Sequence, residues 1–263
     1  LLDPHGGQDH LERRELAFLH ASSVADDPTR AVRACRYAAR LAFVLAPEAQ
    51  QQINQTLEAW PWSWTHGDPP AAAPPALATR LRMELELLFE REPWPEALLA
   101  LQSWGALRLL DPALQADSRL VRSLIQAQRL HLPLLLALVA GADDPLELAA
   151  RLQLPQQQQR WLQQMQELSA WLEVNAFEDA LAGWTAEEWC DALEQQAWGA
   201  EAVALLVSQN PPQRRPLLRW WGRWRHCPSP LTAKDLLAQG WQPGPDLGAE
   251  LQRLRRQRLR AMR

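Results

Sequence analysis

Asp26-Asp27-Pro28-Thr29-Arg30-Ala31-Val32-Arg33-Ala34-Cys35-Arg36-Tyr37-Ala38-Ala39-Arg40 combines a helix start, a face to bury and an ordered set of charges. An acidic residue before proline opens a helix well: the carboxylate accepts from free backbone N–H groups, and the proline ring suits the first turn. At about 100° per residue, Ala31, Val32, Cys35, Ala38, Ala39, Ala42 and Phe43 share one side. Arg30, Arg33 and Arg40 line the opposite side, with Arg36 at its border. One face packs and the other carries guanidinium groups. By spacing alone this is equally the pattern of a capped amphipathic helix with a solvated basic face.

The surrounding composition favours helix. The chain has 263 residues, 47% hydrophobic, with 11 Gly. Tyr, Phe, Val and Ile are sparse beside Leu, Ala, Gln, Glu and Arg, so an all-α protein, an irregular multi-helix array, is expected. Cys35, Cys190 and Cys227 lie far apart without a paired motif, which points to free thiols in a reducing, cytoplasmic setting and to no metal site. No apolar run reaches membrane-spanning length, so no membrane partner is expected. The formal net charge of −4 hides an asymmetry: residues 211–263 carry 12 Lys and Arg against three Asp and Glu, a balance of +9 that leaves −13 on residues 1–210. A basic end on an acidic body suits a polyanionic partner.

Along the chain, Gly6-Gly7 implies a loop over residues 1–10. Helices are expected at about Leu11–Leu19, Pro47–Trp60, Leu77–Phe89, Pro95–Trp104, Ser118–Ala140, Pro145–Leu152 and Pro155–Val174. Trp60-Pro61-Trp62-Ser63-Trp64 reads as a loop whose rings pad a helical core, or as a stacking platform for bases. Asp68 to Pro75 forms a stiff connector. Thr185 with Glu188, and Thr232 with Asp235, have capping-box spacing. Arg219-Trp220-Trp221-Gly222-Arg223-Trp224-Arg225 reads as buried tryptophans under arginine stems, or as arginines and rings that hold bases. In the last helix Leu247, Leu251, Leu254 and Met262 are expected to face inward, and Arg253, Arg256, Arg260 and Arg263 outward.

The opening run, extended through Leu41-Ala42-Phe43, resembles the (E/D)DPxRxxRAxRFAARLGF signature of bacterial class II tRNA nucleotidyltransferases, which include CCA-adding, CC-adding and A-adding enzymes and poly(A) polymerases. Asp26 stands for the usual Glu, Val32 for Leu and Ala42 for Gly. Leu2-Asp3-Pro4-His5-Gly6-Gly7-Gln8-Asp9-His10-Leu11 is similar to the family's DPxGGxxDL loop, Trp104 to Pro112 to its WGxLxxLxP element, and Leu231 to Gly248 to its LxGxDLxxxGxxPGPxxG close, with Ala233 for Gly. The resemblance implies residues 1–10 as a hinge after an absent catalytic head, 11–67 as a neck, 68–76 as a connector, 77–210 as a helical body and 211–263 as a basic, tRNA-binding tail. Its RNA-contacting residues would be Lys234, Arg253, Arg256 and Arg260.

Nucleotidyl transfer uses paired carboxylates that hold divalent metals. No Asp-x-Asp pair is present, so no catalytic residue is expected in this segment; Mg2+ would be held by the head, and the isolated segment would be inactive with its substrates CTP and ATP. Base selection is within its means. Cytosine and adenine present an exocyclic amine beside a ring nitrogen, where uracil and guanine present a carbonyl oxygen. Asp27 can accept from the amine and repel the carbonyl, while Arg30, about one turn on, donates to the ring. The resemblance gives this template role to Asp27 and Arg30 and completes the nucleotide site with Arg33 and Arg36. Rival expectations are a headless all-α RNA-binding module and, within the family, a CC-adding, A-adding or poly(A) polymerase variant.

Overall fold

Gly6, at φ 64°, turns the chain into its first helix, and the Asp3 carboxylate accepts from the backbone N–H groups of Gly7 and Gln8 at 2.8 Å each. These contacts hold the Asp3 carboxyl below its usual range. Helix α1 (Gly7–Arg13) therefore begins inside the stretch expected to be loop. It also stops early, because Arg14 adopts left-handed angles and leads into β1 (Glu15–Leu16). Of the helix expected over Leu11–Leu19 only residues 11–13 are helical, as the end of α1. Leu16 instead pairs in parallel with Leu45 of β2 (Val44–Leu45), a non-local contact that helical periodicity cannot signal.

The computed structural model describes residues 3–59, 77–175, 181 and 183–262. The tryptophan run 60–64, the connector 68–76 and Arg263 lie outside the described residues. The chain divides into two compact units, Leu1–Gln159 and Arg160–Arg263.

In the first unit, α2 (Ser23–Asp26) and α3 (Thr29–Leu41) precede β2, and α4 (Pro47–Ala59) follows it. Next come α5 (Leu77–Arg91), α6 (Trp94–Ser103), a 3-10 turn (Ala106–Leu109), α7 (Pro112–Ala116), α8 (Leu120–Arg129), α9 (Leu134–Val139) and α10 (Pro145–Arg151). The single helix expected over Ser118–Ala140 is two, because His131 adopts φ 58° and Pro133 cannot continue a helix. The connector divides the sequence, yet α3 packs against both α5 and α6 beyond it. Ala31, Val32, Cys35 and Ala38 of α3 enter a core with Leu81, Leu85, Leu88, Leu98 and Leu101. The small residues of α3 let neighbouring helices approach closely.

The unit boundary falls in the first turns of α11 (Gln156–Asn175), whose Leu162, Met165, Leu168 and Leu172 are buried as the apolar stripe requires. In the second unit, α12 (Ala186–Gln195) starts at the Thr185–Glu188 capping box, and α13 (Ala200–Ser208) and α14 (Arg214–Gly222) pack together. The Thr232–Asp235 box opens α15 (Ala233–Ala238), and Gly240, at φ 96°, leads on toward α16 (Pro245–Arg260). On α16 only Leu259 is fully buried, while Leu247, Leu251, Leu254 and Met262, expected to face inward, are half-buried. Helix α16 packs against α12, and three ion pairs join the two helices. The described residues are predominantly helical, as composition implied, and none of their helices is long and apolar enough to cross a membrane.

Candidate functional site

Helix α3 starts as its sequence demands. Asp27 Oδ1 accepts from the Thr29 N–H at 3.2 Å and from the Thr29 hydroxyl at 2.6 Å. Asp27 Oδ2 accepts from Arg80 Nη1 of α5 at 2.9 Å. The carboxylate is thus both a cap and an ion-pair partner, and it is mostly shielded. Arg30 donates through Nη1 to the Ser23 carbonyl at 3.1 Å, which ties α3 back to α2 and leaves further N–H groups of its guanidinium.

The arginine face is not simply solvated. Arg33 Nε and Nη2 donate to Glu84 Oε1 at 2.9 and 2.6 Å. Arg36, 7% exposed, lies between Glu84 Oε2, which accepts from its Nη1, and Glu92 Oε1, 3.2 Å from its Nε. Arg40 donates Nε to Glu92 Oε2 at 2.9 Å and Nη2 to Glu92 Oε1. Two buried carboxylates therefore hold three arginines in a ladder. Burial acts to raise the Glu92 carboxyl, but hydrogen bonds from Arg40 and Arg36 and their charges outweigh it and hold it below the usual carboxylate range. The hydrogen bonds to Glu84 push Arg33 up. Sequence spacing put Arg36 at the edge of an open stripe; the structure buries it, because Glu84 on the apolar stripe of α5 needs a partner.

Beside this ladder a cleft of about 400 Å³ opens, walled by Phe18, His20, Arg30, Arg33 and Tyr37 among others. Of the four residues expected to form a nucleotide site, Arg30 and Arg33 line this cleft and Asp27 and Arg36 do not. Arg36 faces the carboxylates, and Asp27 lies at the α3 N-terminus beside Arg80. His20 also lines the cleft, with its Nδ1 3.2 Å from Ser22 Oγ. Tyr37 is 41% exposed, with Arg40 5.5 Å from its ring centroid. Glu84, Glu92 and Arg80 were missed in the sequence. A signal existed for Glu84, which falls on the stripe formed by Leu77, Leu81, Leu85 and Leu88.

In the tail, Arg255 donates to both Glu194 oxygens at 2.7 Å, Arg256 Nε to Asp191 at 3.2 Å, and Arg260 to Glu187. Arg253 pairs with Glu250 on its own helix. Lys234 is exposed and forms no ion pair with the described residues. The Arg-Trp run takes its packed form: Trp220 and Trp224 are buried and Arg225 lies 5.5 Å over the Trp221 ring. All three cysteines are free and buried. Among the described residues no three His, Cys, Asp or Glu side chains converge as a metal site.

The described residues thus form an all-α array with an arginine-walled cleft in the first unit and a second, arginine-rich unit. In sequence, part of the chain is similar to tRNA nucleotidyltransferases. It is 42% identical over 119 residues to the CC-adding tRNA nucleotidyltransferase of Deinococcus radiodurans, covering 44% of this chain and 28% of that protein. It is 32% identical over 123 residues to the A-adding enzyme of the same organism, 46% and 26% of the two chains. Both matches span less than a third of the relatives' length. No family model matches the chain. In fold it is similar to the Thermotoga maritima CCA-adding enzyme complexed with tRNA, with a TM-score of 0.65 and 16% identity over 100% of this chain and 64% of that one. A CCA-adding enzyme complexed with CTP gives 0.65 and 17% identity over 98% and 62%.

Proposed function

We propose that this chain is the base-selecting and tRNA-binding part of an enzyme that adds C, A or both to the tRNA 3′ end. The observation that carries the reading is the cleft in which Arg30 and Arg33 converge beside Tyr37, one helical turn from Asp27. Arg30, steadied by the Ser23 carbonyl, keeps N–H groups to donate to a ring nitrogen or carbonyl of the base. Arg33, fixed by Glu84, keeps its Nη1 for the same cleft. Asp27 has two acceptor sites per oxygen, so its bonds to Thr29 and Arg80 leave capacity for an exocyclic amine. A carbonyl at that position would meet a carboxylate and be refused. On this reading CTP and ATP are the substrates and tRNA is the partner, and the metal-bound carboxylates for nucleotidyl transfer belong outside these residues, so the segment alone does not incorporate nucleotides.

The test is calorimetric titration of the chain with CTP, ATP, UTP and GTP. CTP or ATP should bind more tightly than UTP and GTP, and Arg30→Ala should abolish the preference. Equal affinity for all four would overturn the base-selecting role.

A further inference from the structure

From Ala202 to Lys234 the chain holds no acidic residue but six Lys and Arg. Helix α14 lies in this stretch and packs through Leu217 and Trp220, with Trp224 buried in the short turn after it. Arg215 and Arg219 stand one turn apart on the exposed side, about 6 Å along the axis. Arg223, at the helix end, is exposed as well. Among the described residues, none of these three forms an ion pair. Most arginines of α16 differ: Arg255, Arg256 and Arg260 are paired with α12 and Arg253 with Glu250, while Arg258 forms no ion pair among the described residues and donates to the Pro228 carbonyl at 3.4 Å.

We infer that the exposed α14 arginines Arg215, Arg219 and Arg223 form the principal RNA-contacting surface of the second unit, with Arg255, Arg256 and Arg260 of α16 serving mainly to fasten α16 to α12. The inference rests on the tRNA-binding reading above. A guanidinium already held by a carboxylate must break or share that contact to engage a phosphate, whereas an unpaired one gains charge-assisted hydrogen bonds outright. The row also suits its partner. Three cations in line meet successive backbone phosphates, while an acidic protein surface would need carboxylates at matching spacing. Residues 160–263 carry 13 Lys and Arg against 12 Asp and Glu, so the attraction is local to α14 rather than a property of net charge.

The experiment measures binding of the 263-residue chain to an unmodified tRNA transcript by fluorescence anisotropy from 50 to 300 mM salt. Wild type is compared with Arg215→Gln/Arg219→Gln/Arg223→Gln and with Arg253→Gln/Arg256→Gln. The α14 variant should lose about tenfold or more in affinity at 100 mM salt, and its log K against log salt line should be shallower by about 2 to 3 units. Its melting temperature should match wild type, since these exposed side chains form no ion pair among the described residues. The α16 variant should keep the wild-type slope even if it melts earlier. Wild-type affinity and slope in the α14 variant would overturn the inference while leaving tRNA binding standing. Absence of tRNA binding by wild type would instead overturn the reading on which it rests. Equally tight, slope-matched binding of polyglutamate would assign the row to an acidic protein and also overturn it.

Discussion

Glu92→Gln tests the ladder that shapes the cleft. The Glu92 side chain is fully buried and accepts from Arg36 and Arg40. Glutamine has nearly the same shape but replaces one acceptor oxygen with an NH2 group that faces guanidinium donors. Arg36, itself buried, then keeps Glu84 as its only full counter-charge. Removing one partner of a buried ion pair costs about 3–5 kcal/mol. The half-exposed Arg40 adds little, since exposed pairs contribute about 0–1 kcal/mol. Against a domain stability of about 5–15 kcal/mol, a loss of about 3 kcal/mol is a large fraction. Urea unfolding should therefore show a lower midpoint at unchanged slope. The pH dependence carries the same signature. The native Glu92 carboxyl titrates below its unfolded value, so its contribution is complete above the unfolded value and is lost as the pH falls through the lower native one. Wild type should lose stability below about pH 4, and the variant should lose less over that range. A variant within about 0.5 kcal/mol of wild type, with an identical acid profile, would refute the ladder as a structural element.

Asp27→Asn keeps an oxygen for the Thr29 cap but loses the charge facing Arg80, so stability should fall by no more than about 1 kcal/mol. In an active enzyme containing this segment, kcat/KM discrimination against UTP and GTP should shrink by about 1–3 kcal/mol, and unchanged selectivity would reduce Asp27 to a helix cap. Ala42 ends α3 at φ 53°, where a Cβ is strained, so Ala42→Gly should stabilise by about 1 kcal/mol in the same urea assay. Thr185→Ala removes the hydroxyl that accepts from the Glu188 N–H in the α12 capping box, while the Glu188 carboxylate still accepts from the backbone N–H of residue 185, and should cost about 0.5–2 kcal/mol, read as an earlier melt. Burial pushes the Cys35 and Cys190 thiols up, the latter to about 12, so a thiol reagent at pH 8 should leave both unlabelled until the protein is unfolded.

The sequence by itself determined what depends on near neighbours. Asp27-Pro28 and the two threonine boxes specify helix starts through bonds spanning two or three residues, and each forms as read. The apolar stripes of α3 and α11 follow from helical period, so the all-α class and most helix positions were legible. Tertiary structure alone decided where the arginines went. Arg33, Arg36 and Arg40 find Glu84 and Glu92 across the connector, and Arg256 and Arg260 find Asp191 and Glu187 from the far end of the second unit. A guanidinium stripe reads the same in sequence whether water, a phosphate or a carboxylate will face it. The choice is made by which helix packs alongside, because a charge leaving water must be met by a counter-charge brought there by the fold. The same cause left Arg30 and Arg33 in an open cleft while it buried Arg36, one turn further along the same helix.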